Sequence, residues 1–269
     1  MDLSVVRIHK ADAPTSQRWL RSRLIVHPDQ YLSQCPFVLL SEESHEPLVE
    51  FPLQSRRGVI ALSLVLDGSA RGTDATGADW HLARGDAELS MGGDGVLQRV
   101  AGDTGVQLLR LWINVPDSTK ASGLQGTVVR HADAPRASFG EASALVYAGS
   151  LGAASAPHHG PWPLTMADLT LPAGKATELP LASSERSFVY VLRGNVEFGR
   201  NRVRLGQDSI AWIERAVGPG AIGVLPARAS KEARFLLLSS PVIGEVAAAG
   251  RDCGSLEPGQ WPAQTHEEA

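Results

Sequence analysis

Several common signals of enzyme function are absent from this 269-residue sequence. It contains no GxSxG nucleophile elbow, no GxxxxGK[ST] phosphate-binding loop and no HExxH zinc motif. Cysteine is scarce, because Cys35 and Cys253 are the only two, lie far apart and form no CxxC pair. They cannot build a metal site without histidine ligands, and free thiols are favoured over a structural or redox-active disulfide.

Net positive charge and long apolar runs are also lacking. The net charge is −4 and the pI is about 6.1, which gives no electrostatic footprint for nucleic acid or an anionic membrane. No apolar run reaches about 18 residues, and the first residues, MDLSVVRIHKADAP, lack the apolar core of a signal peptide. We therefore expect a cytoplasmic monomer that binds neither nucleic acid nor membranes directly.

The sequence does contain a strand-rich region from Gln54 to Val115. Residues 59–66 read VIALSLVL, which is apolar or small at every position and too short and β-branched for a buried helix. This run predicts a strand packed on both faces, and Asp67-Gly68 predicts a hairpin turn after it. Turn signals containing glycine then recur about every eight to twelve residues, which is typical of an antiparallel barrel or sandwich.

Short motifs spread over most of residues 18–245 resemble the pirins, two-barrel members of the cupin superfamily. Those that resemble the pirin N-terminal domain are Arg57-Gly58, Leu66-Asp67-Gly68, Gly85-Asp86, Gly95-Val96 and Leu111-Trp112-Ile113-Asn114-Val115-Pro116 with Lys120. Residues 36–40 (PFVLL) and 234–240 (RFLLLSS) resemble two further core strands of the family. The resemblance implies an all-β fold of two cupin-type antiparallel β-barrels, a bicupin built on the double-stranded β-helix.

The resemblance also implies a metal site, which the residues of this chain do not match. Pirins hold one divalent iron in the N-terminal barrel with three histidines and a glutamate; counted from Gly68 and Asp86, those positions hold Gln54, Arg56, Gln98 and Val100. Valine offers no donor and arginine keeps its proton. At an effective dielectric constant near 20, a 2+ ion about 4 Å from an arginine charge is repelled by roughly 8 kcal/mol. We expect no cofactor, unless the count is displaced and iron or another divalent metal binds.

The same four positions form the predicted ligand-binding site. Residues two apart on a strand face the same way, so Gln54, Arg56 and Gln98 are expected to project into the barrel. A buried arginine needs a partner. Either Glu88 or Glu50 closes an internal salt bridge with Arg56, or the guanidinium and the two amides hold a small carboxylate or enolate-like ligand.

The predicted domains are an N-terminal barrel at 1–135, a linker at 136–160, a C-terminal barrel at 161–250 and a tail at 251–269. Residues 188–194 mirror residues 62–68, and Asp208 mirrors Asp86, as an internal duplication predicts. The ligand positions of the second barrel hold Pro180, Ala182 and Gly220, so no site is expected there. The acidic stretch 41–50 is interpreted as a surface loop.

Three functions compete on this basis. The first is a metal-free pirin-like protein that binds a small anion or a protein partner, in a regulatory role. The second is the metal-dependent cleavage of quercetin-like flavonols that the resemblance implies, with metal held by other residues such as His45, His81 or His158. The third is a structural or redox-responsive protein that uses Cys35 or Cys253.

Overall fold

Antiparallel strands make up nearly all of the regular structure. A computed structural model describes residues 1–51, 59–73, 79–91, 98–120, 124–157, 160, 162–216, 218 and 220–243. These residues form two large sheets and one two-stranded hairpin, with only short helical turns. The all-β, two-barrel fold expected from the sequence is confirmed.

The strands and helices follow one another in this order along the chain. The first half contains β1 (Val5–Lys10), β2 (Thr15–Gln17), β3 (Leu20–Val26), α1 (Tyr31–Gln34), β4 (Phe37–His45), β5 (Glu50–Phe51), β6 (Val59–Thr73), β7 (Asp79–Ala83), β8 (Ala87–Met91), β9 (Gln98–Asn114), α2 (Asp117–Lys120) and β10 (Leu124–Val129). The second half contains β11 (Arg136–Phe139), β12 (Ala142–Ala148), β13 (Ser150–Leu151), β14 (Ala154–Ser155), β15 (Thr165–Leu171), β16 (Ala176–Ala182), β17 (Glu185–Phe198), β18 (Val203–Gly206), β19 (Ser209–Ile213) and β20 (Ile222–Pro241).

The chain divides into two compact units whose boundaries differ from the expected ones. The N-terminal barrel consists of Ala13–His131 with the described residue Ile243, and the C-terminal barrel consists of Met1–Asp12 with Ala132–Val242. The first strand, β1, pairs with β19 and therefore belongs to the C-terminal barrel. The expected linker at 136–160 instead carries β11 to β14, and β11 and β12 continue the sheet of β15. The expected tail at 251–269 lies outside the described residues.

Each barrel is built on two long central strands. The N-terminal sheet has the order β10-β8-β6-β9-β4-β3-β2, with β5 paired to β9 and β7 paired to β6. The C-terminal sheet has the order β1-β19-β17-β20-β15-β12-β11, with β16 paired to β20 and β18 paired to β17. Because β6, β9, β17 and β20 each pair with different neighbours along their length, they carry the fold from one layer of a barrel to the other.

The strand predicted at residues 59–66 is confirmed, and both of its faces are buried. Ala61, Ser63 and Val65 lie on one face and Leu62 and Leu64 on the other, all at most 1% exposed. The predicted hairpin turn at Asp67-Gly68 is wrong. The strand continues to Thr73 through a bulge, with shifts of register on both sides of Gly68. A bulge and a turn share the same local residue signal, which explains the error.

The duplication seen in the sequence is a repeat of this bend. Gly68 has φ 72°, and a Cβ there would lie 2.2 Å from the carbonyl oxygen of Gly105. Gly194 has φ 85°, and a Cβ there would lie 2.3 Å from the carbonyl oxygen of Glu232. Only glycine fits at either position, since left-handed φ and a close backbone approach coincide.

The second pair of residues matched in the duplication, Asp86 and Asp208, is displaced by one residue from the expected alignment. The backbone N–H of Gly85 donates to Val65, and that of Asp208 donates to Val191, which is the equivalent residue of the second barrel. Both Gly85 and Asp208 have positive φ. Asp208 therefore stands in the place of Gly85 rather than of Asp86, which aspartate can do because it tolerates the left-handed conformation.

The interior of the C-terminal barrel is filled by apolar side chains. Val189, Val191, Phe235 and Leu237 are fully buried in one cluster with Leu179, Leu181 and the residues around them. Pro180 and Ala182, expected at equivalent ligand positions, alternate with Leu179 and Leu181 along β16 and are only partly buried. Among the described residues, no helix is long and apolar enough to cross a membrane.

We predict that Gly68→Ala and Gly194→Ala each lower the free energy of unfolding by more than about 2 kcal/mol, because an added Cβ meets backbone as well as the left-handed penalty of about 1–2 kcal/mol. The measurement is urea unfolding of the two variants.

The matched control is Gly174→Ala. Gly174 also has φ 74°, but a Cβ there meets nothing within 4 Å. Its loss is expected to reflect the φ penalty alone, and equal losses in all three variants would contradict the close-approach argument.

Candidate functional site

The four residues expected at the ligand site are only partly described. Gln54 and Arg56 lie outside the described residues, and for Gln98 and Val100 the structure describes the backbone alone. That backbone belongs to β9, where Val100 pairs with Glu50 and Arg71, and Gln98 pairs with Thr73. Of the two proposed partners of Arg56, Glu88 is 2% exposed and Glu50 is exposed at the surface.

The inner face of the N-terminal barrel carries a row of polar residues that crosses four strands. Ser41 on β4 is opposite Arg110 on β9, Arg110 is opposite Ser63 on β6, and Ser63 is opposite Glu88 on β8. Residues directly opposite one another on neighbouring strands share a face of the sheet. All four are buried, and the row lies beside the apolar residues that fill the barrel.

Two further polar residues of β4 extend this face. Glu43 is opposite Leu108 and His45 is opposite Val106, and both of these partners belong to the apolar cluster of the barrel interior. The intervening residue Glu42 points the other way, where it binds Arg23 at 2.6 Å. The alternation of a strand therefore places Ser41, Glu43 and His45 together inside the barrel.

These side chains form one hydrogen-bonded cluster centred on Glu43. Oε2 of Glu43 lies 3.1 Å from an Arg110 guanidinium nitrogen and 3.1 Å from Nε2 of His45, while Oε1 accepts a hydrogen bond of 3.0 Å from Ser41. The side chains of Glu43, His45 and Arg110 are 11%, 3% and 4% exposed. We refer to Ser41, Glu43, His45 and Arg110 as the Glu43 cluster.

The Glu43 cluster holds its carboxylate ionised. Burial alone would raise the pKa of Glu43, but the charge of Arg110 and the contacts with His45 and Ser41 outweigh it and lower the pKa to about 2. The carboxylate is thus a permanent acceptor at neutral pH, and it fixes the orientation of the imidazole and the guanidinium beside it.

The described residues of this face do not fit a divalent iron. A site for that metal needs three or more imidazole or carboxylate donors. Among the described residues, no group of three histidine, cysteine, aspartate or glutamate side chains could hold a metal ion. Glu43 and His45 are a pair, and a 2+ ion on them about 4 Å from Arg110 would be repelled by roughly 8 kcal/mol at a dielectric constant near 20.

The Glu43 cluster was missed at the sequence level. Residues 41–50 were interpreted as a surface loop, whereas β4 continues to His45. The period of two was nevertheless present, since Ser41, Glu43 and His45 alternate with Glu42 and Ser44. An acidic run that alternates directly after an apolar strand is compatible with a strand that turns one polar face inward.

Other candidate residues stand apart from this site. His81 is exposed on β7, and His158 and Cys253 lie outside the described residues. Cys35 is buried with its sulfur 3.4 Å from the Tyr31 hydroxyl, which limits access of oxidants to the thiol. Of the candidates that the structure describes, His45 is the one that lies in the polar interior of the N-terminal barrel.

Asp86, part of a motif that carried the family resemblance, has a structural role. Its carboxylate accepts the backbone N–H groups of Ala83 and His131 and a side-chain bond from Arg130. Burial raises the pKa of Asp86, but these bonds outweigh that effect and lower it. Asp86 thus fixes the β7–β8 turn at the end of the sheet.

The C-terminal barrel carries an open groove of about 940 Å³ whose charges balance. Arg200 and Arg202 lie in the turn between β17 and β18. The ionisable residues that line the groove are Arg200, Arg202, Arg228, Asp2, Glu178 and Glu197. Because the groove has three charges of each sign, it favours neither an anionic nor a cationic ligand.

Comparisons with known proteins agree with this fold. Residues 166–250 match the pirin C-terminal cupin domain. The chain is 29% identical to pirin-1 of Arabidopsis thaliana over 214 residues, which is 78% of this chain and 73% of that protein. It is 30% identical over 198 residues to a Pseudomonas aeruginosa protein provisionally named a quercetin 2,3-dioxygenase, with 67% of this chain and 68% of that protein covered.

A solved structure from Geobacillus kaustophilus has a similar fold. It superposes with a TM-score of 0.85 at 23% identity and covers 91% of this chain and 98% of that chain.

We predict that Glu43→Gln lowers the free energy of unfolding at pH 7 by about 3 kcal/mol, because it leaves a buried guanidinium without its counter-charge. The folded pKa of about 2 lies below the ordinary 4.5, so this stability is present above pH 4.5 and is lost as the pH falls through about 2. Urea unfolding between pH 2 and pH 7 measures both effects, and the two proteins should converge at the acid end.

The control is Glu232→Gln, which breaks the ion pair between Arg193 and Glu232. Both of those side chains are more than half exposed, and such pairs contribute less than about 1 kcal/mol. Similar losses in the two variants, or a Glu43→Gln loss that does not change with pH, would show that the Glu43 cluster is not a charged pair in a buried setting.

Proposed function

Because the chain belongs to the pirin family of two-barrel cupin proteins, we propose that it is a metal-independent regulatory protein that binds a small carboxylate in its N-terminal barrel. The Glu43 cluster is the observation that carries this proposal. In this cluster the polar residues of the inner face form a hydrogen-bond network that contains the ion pair between Arg110 and Glu43. A site of that kind suits an organic ligand better than a divalent metal ion.

The residues at the family's metal positions support the same reading. By residue type, Gln54, Arg56 and Gln98 offer hydrogen-bond donors, Val100 offers none, and none of the four offers an imidazole or a carboxylate. The planar guanidinium of Arg56 matches a carboxylate with two parallel hydrogen bonds. The competing role of Arg56 is an internal salt bridge with Glu88, which would close the barrel without a ligand.

A second candidate function is oxygenation of flavonols. It is favoured by the 30% identity to the Pseudomonas aeruginosa relative that bears a quercetin 2,3-dioxygenase name. On this chain, that reaction would require metal donors other than Gln54, Arg56, Gln98 and Val100. The two functions differ in metal content, because the first needs no bound metal and the second requires one.

We predict well under about 0.1 equivalent of any transition metal in protein purified without an affinity tag after growth with added iron, because the donor set is lacking. We also expect no consumption of quercetin above the buffer rate, with or without added iron. Elemental analysis and absorbance assays are the measurements. About one equivalent of iron with flavonol turnover would overturn the proposed function and establish the second candidate.

We predict that Arg56→Ala abolishes binding of benzoate, the carboxylate used as a probe, as measured by titration calorimetry. The matched control is Arg84→Ala, which removes an exposed arginine of the β7–β8 turn and should leave binding unchanged. Loss of stability in Arg56→Ala with unaltered benzoate binding would instead assign Arg56 to the internal salt bridge.

A further inference from the structure

The open groove of the C-terminal barrel has no role in the proposed function. It is lined by strands β16, β20 and β17, by the end of β11 and by the turn between β17 and β18. Along β16 and β20, outward-facing residues of the groove alternate with buried residues of the barrel interior. The outward-facing ones are the exposed Ala176, Glu178 and Arg228 and the partly buried Pro226.

Some of the charges along this groove are already paired. Glu197 accepts a bond of 3.3 Å from Arg204, and Arg200 lies 3.9 Å from Glu214. In the part of the chain that the structure describes, four other groove residues have side chains without an ion-pair or hydrogen-bond partner, namely Asp2, Glu178, Arg202 and Arg228. These are two carboxylates and two guanidinium groups, so a ligand that complements them carries charges of both signs.

Glu178 and Arg228 give these opposite charges a defined spacing. Glu178 is opposite Pro226 and Arg228 is opposite Ala176, so the two charged residues are diagonal neighbours on adjacent strands. Diagonal neighbours on one face of an antiparallel pair lie about 7–8 Å apart. Because Glu178 and Arg228 form no ion pair with each other, both charges are available to a ligand.

An extended peptide has the same spacing of side chains. Residues two positions apart in an extended chain point the same way and lie about 7 Å apart. A basic and an acidic residue separated by one position can therefore meet Glu178 and Arg228 at the same time. We propose that this groove binds an extended segment of a partner protein with the sequence Lys/Arg-x-Asp/Glu, whose basic side chain pairs with Glu178 and whose acidic side chain pairs with Arg228.

The other groove residues suit the same ligand. Ala176 and Pro226 occupy the positions between the two charges and offer apolar surface to the peptide. The backbone N–H of Gly199 donates to Pro226 at 2.8 Å, which holds the turn that carries Arg202 beside β20. Arg202 and Asp2 supply a second pair of opposite charges for residues that flank the bound sequence.

Shape and charge favour a peptide over other occupants. Sites for small molecules enclose most of the ligand surface, whereas the unpaired charged side chains of this groove are exposed. A polyanion would meet Asp2 and Glu178 as well as the arginines. A second copy of the chain would present the same concave surface, and two concave surfaces do not fill one another. The inference uses residues of the C-terminal barrel alone and does not depend on the ligand site of the N-terminal barrel.

The test is fluorescence anisotropy with short, end-blocked, labelled peptides that differ at two positions. The probe contains Thr-Lys-Thr-Glu-Thr, in which threonine favours an extended chain, and its two counterparts carry Lys or Glu at both charged positions. The wild-type protein at low salt should bind the probe about fivefold more tightly than either counterpart, because each counterpart sets one like charge against the groove. Equal or tighter binding of a like-charged peptide would overturn the proposal.

Charge reversal in the protein should change the preferred peptide. Glu178→Arg is expected to prefer the peptide with two Glu residues, and Arg228→Glu the peptide with two Lys residues, since each variant presents two charges of one sign. A change of preference also shows that the variant is folded. Glu232→Arg is the matched control, because it alters the net charge as Glu178→Arg does at an exposed carboxylate that does not line the groove. It should keep the wild-type preference.

Three further results would contradict the inference. They are an unchanged preference in Glu178→Arg and Arg228→Glu, the same change of preference in Glu232→Arg, and no binding of any of the three peptides by millimolar wild-type protein. Sedimentation of the wild-type protein as a dimer that Arg228→Glu dissociates would assign the groove to a second copy of the chain and would also overturn the proposal.

Discussion

The close approach of two backbone segments at a left-handed glycine is the constraint on which both barrels depend. At Gly68 and Gly194 a long strand bulges, changes its pairing partners and passes from one layer of the barrel to the other. Neither place leaves room for a side chain. Without these bends β6 and β17 would run on as straight strands, and each sheet would lose the curvature that encloses an interior.

The two barrels share this frame but fill it differently. Among the described residues, the C-terminal interior is a continuous apolar cluster. The N-terminal interior combines a small apolar cluster with the Glu43 cluster and with Glu88. Burying charges in this way is costly unless each one is paired. This contrast is the reason for placing the proposed ligand site in the N-terminal barrel.

Much of the fold was predictable from local patterns. Apolar and β-branched residues predict three buried strands: the run at the start of β6, the strand at 37–40 and the last core strand. The pairing of β1 with β19 was not predictable in this way, because contacts between residues about 200 positions apart leave no local signal. The prediction at Asp67-Gly68 was wrong for a related reason, since the residues of this bulge are also those of a hairpin turn.

The candidate site, like the fold, was predictable only in part. Counting from Gly68 and Asp86 predicts that Gln54, Arg56, Gln98 and Val100 replace the family's metal donors, and this stays a prediction because these side chains lie outside the described residues. The alternation of Ser41, Glu43 and His45 was visible in the sequence. Their contact with Arg110 was not, because β4 and β9 are distant in sequence and buried charges resemble surface charges until their partners are known. Only the register of β4 against β9 shows that Glu43 and Arg110 meet.

The assignment of β1 to the C-terminal barrel places residues 13–131 between two segments of the C-terminal barrel in the sequence. Residues 13–131 interrupt a unit whose first strand is made before them and whose remaining strands are made after them. During synthesis the strands of residues 13–131 can pair with one another early, while β1 must wait for β19 and for a loop of about 200 residues to close. Asn201, which bonds both the backbone N–H and the carbonyl of Val5, then secures this late-arriving edge. The order of assembly is thus the reverse of what the position of β1 in the chain suggests: the first strand to be made is among the last to be placed.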